Sequence, residues 1–149
     1  MYRYSLILGR KIRIAILGCG RISKNHFNSI STHKENLELV AICDSDSDVL
    51  MKHEIEYQVN GYTNLEKMLD SETIDLVVIC TPSGIHSAQT EICAKFSVNV
   101  LTEKPMATKW QDGLSMIKAC EEANVRLFVV KQNRKNATLQ LLKRAINEG

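Results

Sequence analysis

The sequence predicts an α/β domain, a doubly wound and mainly parallel sheet with helices on both faces. Short apolar runs alternate with longer amphipathic ones, polar punctuation separates them, and runs such as LVVIC are apolar at consecutive positions, as strands buried on both faces require. At 149 residues, 44% of them hydrophobic, the chain has the size and composition of one domain with one core.

Strands are expected at residues 12–17, 37–43, 75–80, 98–102 and 126–130. After the first, Ile22, Phe27 and Ile30 recur at helical spacing; Leu65, Met68 and Leu69 make a shorter turn. Two further helices follow from Ile85, Ala88, Ile92, Cys93 and Phe96, and from Met116, Ala119, Cys120 and Ala123, each packing one face on the sheet. Pro82 and Pro105 both fall just after strand ends, and Pro82 is placed to open a helix. The last stretch, NATLQLLKRAINEG, puts Leu139, Leu142, Ala145 and Ile146 on one face. That face either docks on the sheet or enters a further domain.

Nineteen basic and seventeen acidic residues are spread along the chain for a net charge of +2, so no basic stripe argues for nucleic acid. No run approaches the roughly 18 apolar residues of a membrane span, and the opening MYRYSLILGRK has too short an apolar stretch for a signal peptide. The five cysteines, Cys19, Cys43, Cys80, Cys93 and Cys120, form no C-x-x-C pair and have no histidine at ligand spacing, so no metal site is expected. Three of them fall in apolar runs read as strands, where a free thiol is a small buried hydrophobe. That usage points to a reduced, cytoplasmic compartment.

AILGCGRIS, residues 15–23, matches G-x-G-x-x-G except that Ser23 holds the third place. A strand precedes Gly18, a helix follows, and the second strand ends at Asp44, 26 positions beyond Gly18. In a dinucleotide site Gly18 permits the tight turn and Gly20 lets the backbone approach the pyrophosphate, whose charge meets amides at the helix N-terminus. Asp44 would accept hydrogen bonds from the adenosine ribose hydroxyls. Ser45 and Asp46 follow with no Arg or Lys to pair a 2′-phosphate, which predicts NAD over NADP. The alternatives are a plain strand-to-helix turn with Asp44 as an N-cap ahead of SDSDVL, or a methyltransferase, whose loops usually carry a further glycine where Ile22 stands.

Three more constellations fall at later strand ends, where open α/β sheets bind ligands. CTPSGIH brings Thr81 and Pro82 to the cofactor side, with His86 in the first helical turn or else on an exposed helix face. TEKPMA places Lys104 before Pro105, which biases it to extended backbone; the plainer reading is a surface lysine. KQNRKN offers Gln132, Asn133 and Arg134 to a polyhydroxylated or anionic ligand, or is a solvated basic connector.

Taken together, GCGRIS, AICD, CTPSGIH and above all EKPMA resemble the Gfo/Idh/MocA oxidoreductases over nearly the whole chain from Lys11 onward. VVKQNRKNATLQLLKRAINEG is most similar to the bacterial UDP-N-acetylglucosaminuronate 3-dehydrogenases within that family, which make acetamido-sugar precursors of lipopolysaccharide and O-antigen. The resemblance implies a Rossmann-type fold and hydride transfer from sugar C3 to the nicotinamide of NAD. Lys104 is implied as the catalytic group beside the reacting hydroxyl, where a nearby positive nicotinamide disfavours the ammonium form and suits acid–base work.

Cofactor contacts are implied for Gly18, Gly20, Arg21, Ile22, Asp44, Ser45, Thr81, Pro82, His86, Glu103, Lys104 and Gln132, and substrate contacts for Lys104, Asn133 and Arg134. The same resemblance implies a small-molecule nucleotide sugar as substrate, 2-oxoglutarate as reoxidant, a homo-oligomer, and a second α/β domain carrying a catalytic histidine and most substrate contacts. The 149 residues are expected to be the nucleotide-binding half, without that second domain. Residues 1–10 are therefore expected to be an extension, 11–134 the dinucleotide-binding domain and 135–149 the start of a connection. Alone, the chain is expected to bind NAD without turnover; another sugar or inositol dehydrogenase of the family is the remaining alternative.

Overall fold

The computed structural model describes residues 7–148; residues 1–6 of the expected extension, and Gly149, lie outside the described residues. Six strands, β1 (Ile12–Leu17), β2 (Leu37–Cys43), β3 (Asn60–Tyr62), β4 (Leu76–Ile79), β5 (Asn99–Thr102) and β6 (Leu127–Val129), form one sheet in the order β3-β2-β1-β4-β5-β6. Every neighbouring pair is parallel. The helices are α1 (Ser23–Thr32), α2 (Ser47–Tyr57), α3 (Leu65–Ser71), α4 (His86–Lys95), α5 (Trp110–Glu122) and α6 (Ala137–Glu148). Two 3₁₀ turns, Ser83–Ile85 and Gln132–Lys135, precede α4 and α6.

The alternation within β1 shows why the sheet is covered on both faces. Ile14 and Ile16 pack with Phe27 and Ile30 of α1 and Leu50 of α2, whereas Ala15 and Leu17 pack with Leu65 and Met68 of α3 and Cys93 of α4. Each fully buried large aliphatic side chain contributes about 1.5–3 kcal/mol relative to exposure. Phe27 also stacks on Tyr57, with ring centroids 4.2 Å apart, which fixes α1 against α2. α5 lies over α4 through Cys120 and Ala94.

Several expectations change. β3, three residues of sequence NGY, was not foreseen: Asn and Gly signal a turn, and only pairing with β2 at Ala41–Cys43 makes the segment a strand. Of the stripe expected on α4, Cys93 is buried and Ile92 and Phe96 pack on the core, but Ile85 and Ala88 are exposed and His86, Thr90 and Ala94 complete the buried face. Pro82 does open a turn, the 3₁₀ turn leading into α4. α6 does not dock on the sheet, and Leu139, Leu142 and Ile146 stay exposed. Of the five cysteines only Cys43 lies inside a strand, but all five are free and buried. Burial pushes the Cys19, Cys80 and Cys93 thiols up to about 12 and those of Cys43 and Cys120 up to about 11.

At the N-terminal edge of the sheet, Arg10 donates both guanidinium nitrogens to Asp75, at 2.6 and 2.8 Å, and the Arg13 N–H donates to the same carboxylate at 2.8 Å. The Arg10 hydrogen bonds, ahead of the Arg13 amide, hold the Asp75 carboxyl below its ordinary value of 3.8. A lowered folded-state value means that the stabilisation is present above the ordinary carboxylate range and is lost as pH falls through the lowered value. Asp75→Asn should therefore lower the melting temperature at about pH 6, with the gap closing towards about pH 2. A gap of equal size at both pH values would contradict this.

Candidate functional site

The sheet order sets the C-terminal strand ends in a row: Thr63 after β3, Asp44 after β2, Gly18 after β1, Thr81 after β4, Glu103 and Lys104 after β5, and Gln132 after β6. The order reverses between β1 and β4, and open α/β sheets bind ligands at such a switch point. Backbone ladders continue into the loops. Gly18 N–H donates to Cys43 O at 2.7 Å, Cys80 N–H to Leu17 O at 2.7 Å, Asp44 N–H to Tyr62 O at 3.1 Å and Glu103 N–H to Ile79 O at 3.0 Å. Each loop thus starts from a fixed point.

Gly18 has φ +89°, and a Cβ there would lie 3.0 Å from the Cys80 carbonyl carbon and from Thr81. No side chain fits. Gly20 differs: a Cβ would meet nothing within 4 Å, so the backbone faces open space that a phosphate can enter. Ser23, in the place of the third glycine, is fully buried and its hydroxyl donates to Gly20 O at 2.6 Å, closing the turn. α1 then begins at Ser23, its N-cap position Ile22 supplying no side-chain hydrogen bond, and Arg21 before it is exposed.

Asp44 is not a helix cap. Its Oδ2 accepts the Cys19 N–H at 2.6 Å and its Oδ1 the Asp46 N–H at 2.9 Å. The cap of α2 is Asp46, which accepts from Asp48 and Val49. Each Asp44 oxygen keeps a second lone pair, which suits ribose hydroxyls. Gly18, Gly20, Asp44, Ser45, Thr81 and Pro82 all line one cavity of about 430 Å³. Other lining residues were not assigned to the site from sequence, among them Thr63, Leu65, Ile85 and Gln89; Gln89 accepts the Thr81 hydroxyl at 2.5 Å.

His86 is neither on an exposed face nor open to the cavity. It is fully buried, its Nε2–H donates to Thr81 O at 2.9 Å, and its Nδ1 faces the Thr102 hydroxyl at 3.0 Å and Pro105 O at 3.2 Å. The ring pins the Thr81 turn to the segment holding Lys104. Glu103 is also buried: His26 of α1 donates to its Oε1 at 2.8 Å, and the Lys104 N–H donates to its Oε2 at 3.2 Å. Lys104 is exposed and joined to Pro105 by a cis peptide bond. Gln132, Asn133 and Arg134 are exposed in the 3₁₀ turn after β6. None of these last four lines the cavity. Among the described residues no His, Cys, Asp and Glu cluster could hold a metal, and no helix is long and apolar enough to cross a membrane.

A glycine turn with room for a pyrophosphate, a strand-end carboxylate with free lone pairs and the sheet order around them make a dinucleotide site. Residues 12–131 match the oxidoreductase family Gfo/Idh/MocA, described as an NAD-binding Rossmann fold. The chain belongs to the Gfo/Idh/MocA family. The WlbA dehydrogenase of Bordetella pertussis, solved in complex with NADH and UDP-GlcNAcA, is 51% identical with TM-score 0.91, over 94% of this chain and 43% of that one. The WlbA dehydrogenase of Chromobacterium violaceum, solved with the same two ligands, is 47% identical with TM-score 0.95, over 99% and 43%. A D-apiose dehydrogenase of Paraburkholderia graminis is 31% identical over 94% of this chain and 37% of its own length. The chain thus spans less than half the length of these Gfo/Idh/MocA relatives.

The two glycines separate fold from binding. Gly18→Ala is expected to destabilise the domain by about 2 kcal/mol or more, from the positive φ and the close contacts together. Gly20→Ala should melt within about 2 °C of the parent yet bind NAD roughly tenfold more weakly, because the added methyl fills phosphate space. Thermal melts and NAD calorimetry on both variants check this; equal NAD affinity for Gly20→Ala and the parent would contradict it.

Proposed function

We propose that this chain is the NAD-binding part of a nucleotide-sugar dehydrogenase that oxidises the C3 hydroxyl of UDP-N-acetylglucosaminuronate in lipopolysaccharide or O-antigen sugar biosynthesis. The observation that carries the reading is the 47–51% identity to the two WlbA dehydrogenases, against 31% or less to the sugar and inositol dehydrogenases compared. NAD, when bound, supplies the hydride acceptor.

The chain's own residues would divide the remaining work. Gly18, Gly20, Arg21 and Ile22 would hold the pyrophosphate with backbone amides, and Asp44 and Ser45 the adenosine ribose. Thr81 and Pro82 would form the wall towards the nicotinamide. Lys104, exposed at the end of β5, would take the proton of the hydroxyl being oxidised. Glu103 and His86 act by positioning, since both are buried and hold the Lys104 segment, Glu103 through the Lys104 N–H and His86 through Thr102 at the end of β5. Gln132 would lie towards the nicotinamide, and Asn133 and Arg134 would present an amide and a cation to the sugar nucleotide.

Residues 11–134 form the dinucleotide-binding unit in this reading and residues 135–149 lead towards a substrate-binding part. Reoxidation by 2-oxoglutarate and assembly as a homo-oligomer belong to the same proposal for the whole protein. For the 149 residues alone, the expectation is NAD binding without turnover.

A chimera tests the assignment. Joined to the portion of the Chromobacterium violaceum WlbA dehydrogenase that this chain does not cover, it should form NADH with UDP-GlcNAcA and not with myo-inositol. Lys104→Ala in that chimera should cut turnover by about 10²–10⁴-fold with NAD affinity within about twofold. NADH formation with myo-inositol alone would overturn the substrate, and full activity of the variant would remove Lys104 from the mechanism.

A further inference from the structure

We propose that His26 is a positioning residue that carries pyrophosphate binding at the glycine turn to the backbone of Lys104, through its hydrogen bond to Glu103. The link rests on the pyrophosphate assignment to Gly18 and Gly20, and its use in catalysis on the role given to Lys104. It does not depend on the sugar, so failure of the chimera would leave the link standing.

His26 is the fourth residue of α1, in the first turn of the helix that follows the glycine turn without a side-chain cap. Its imidazole leaves that helix and meets a residue 77 positions away. Nε2–H donates to Glu103 Oε1 at 2.8 Å, and the two side chains are only 15% and 8% exposed. The other carboxylate oxygen, Oε2, accepts the Lys104 N–H at 3.2 Å. One carboxylate thus has an oxygen on the cofactor helix and an oxygen on the main chain of Lys104.

Stability gives no reason for such a pair. Desolvating a carboxylate and an imidazole costs about what their bond returns, and well-packed apolar side chains often serve a fold as well. What the pair supplies is a directional link between two loops that bind different parts of a dinucleotide. Pyrophosphate held by amides at the start of α1 would restrict the first turn of the helix, and His26 with it. A ring held more firmly holds Oε1 more firmly, and the same rigid carboxylate keeps Oε2 on the Lys104 N–H. The effect at Lys104 is higher occupancy of one hydrogen bond and needs no contact with the ligand.

ADP separates this link from direct contact, because it carries the pyrophosphate and the adenosine ribose but no nicotinamide to reach Lys104. Amide hydrogen exchange, read by NMR on the labelled 149-residue chain with and without saturating ADP, should slow at Gly20 and, about fivefold, at Lys104. Two variants with the same side-chain amide but different reach isolate the bond: glutamine extends an N–H to about where Nε2 stands, and asparagine stops one methylene short. His26→Gln should keep the slowing at Lys104 and His26→Asn should lose it, with Gly20 slowed in both. Equal slowing at Lys104 in the parent and His26→Asn, loss of it in both variants, or none in the parent while Gly20 responds would overturn the link. No response at Gly20 in the parent would remove the cradle itself, and the link with it.

Discussion

Asp44 joins the glycine turn and the end of β3, both distant from it in sequence, to the start of α2. It accepts the Cys19 N–H of the glycine turn and the Asp46 N–H of the turn into α2, and the Asp44 amide donates to Tyr62 at the end of β3. Parallel pairing in register, with Leu17 opposite Cys43 and Cys43 opposite Tyr62, brings these groups to one level. Hydrogen bonds to a charged acceptor contribute about 1.5–3 kcal/mol each, roughly twice a neutral one. One side chain thus sets both the shape of the cradle and the negative charge beside it. The cofactor's ribose would meet a group already held in place by the protein's own amides.

The other half of the site is built by the same division of labour. Buried polar groups hold the loops and exposed groups are left for chemistry. His86 ties Thr81 to Thr102 at the end of β5, just before Glu103 and Lys104, and His26 ties α1, whose N-terminus follows the glycine turn, to Glu103. A buried polar group is costly unless paired, and each of these is paired. The exposed Lys104 therefore springs from a strand end anchored from two directions, one of them the helix that would carry the pyrophosphate.

Five of the six strands were legible because strands buried on both faces leave near-continuous apolar runs, and β1, β2 and β4 do so here. β3 was not, since an edge strand of three residues with Asn and Gly has no apolar pattern and is defined by its neighbour. The glycine turn and Asp44 were legible because motif and spacing are local. His86 does fall in the first turn of α4, but its burial was not legible, because it depends on Thr102, at the end of a different strand. The His26–Glu103 pair spans 77 positions and has no sequence signal of its own. The one trace of Asp46's cap was the run SDSDVL, which gives two candidate aspartates and no way to choose between them.

The central claim, that the Asp44-locked glycine turn is an NAD cradle, is tested most directly by following backbone amide resonances of the labelled chain during an NAD titration. The account predicts the largest shifts at Gly18, Cys19, Gly20 and Asp46, with Thr81 responding and α6 silent. Shifts confined to another surface, such as the groove between α4 and α5 lined by Glu91 and Lys118, would contradict it.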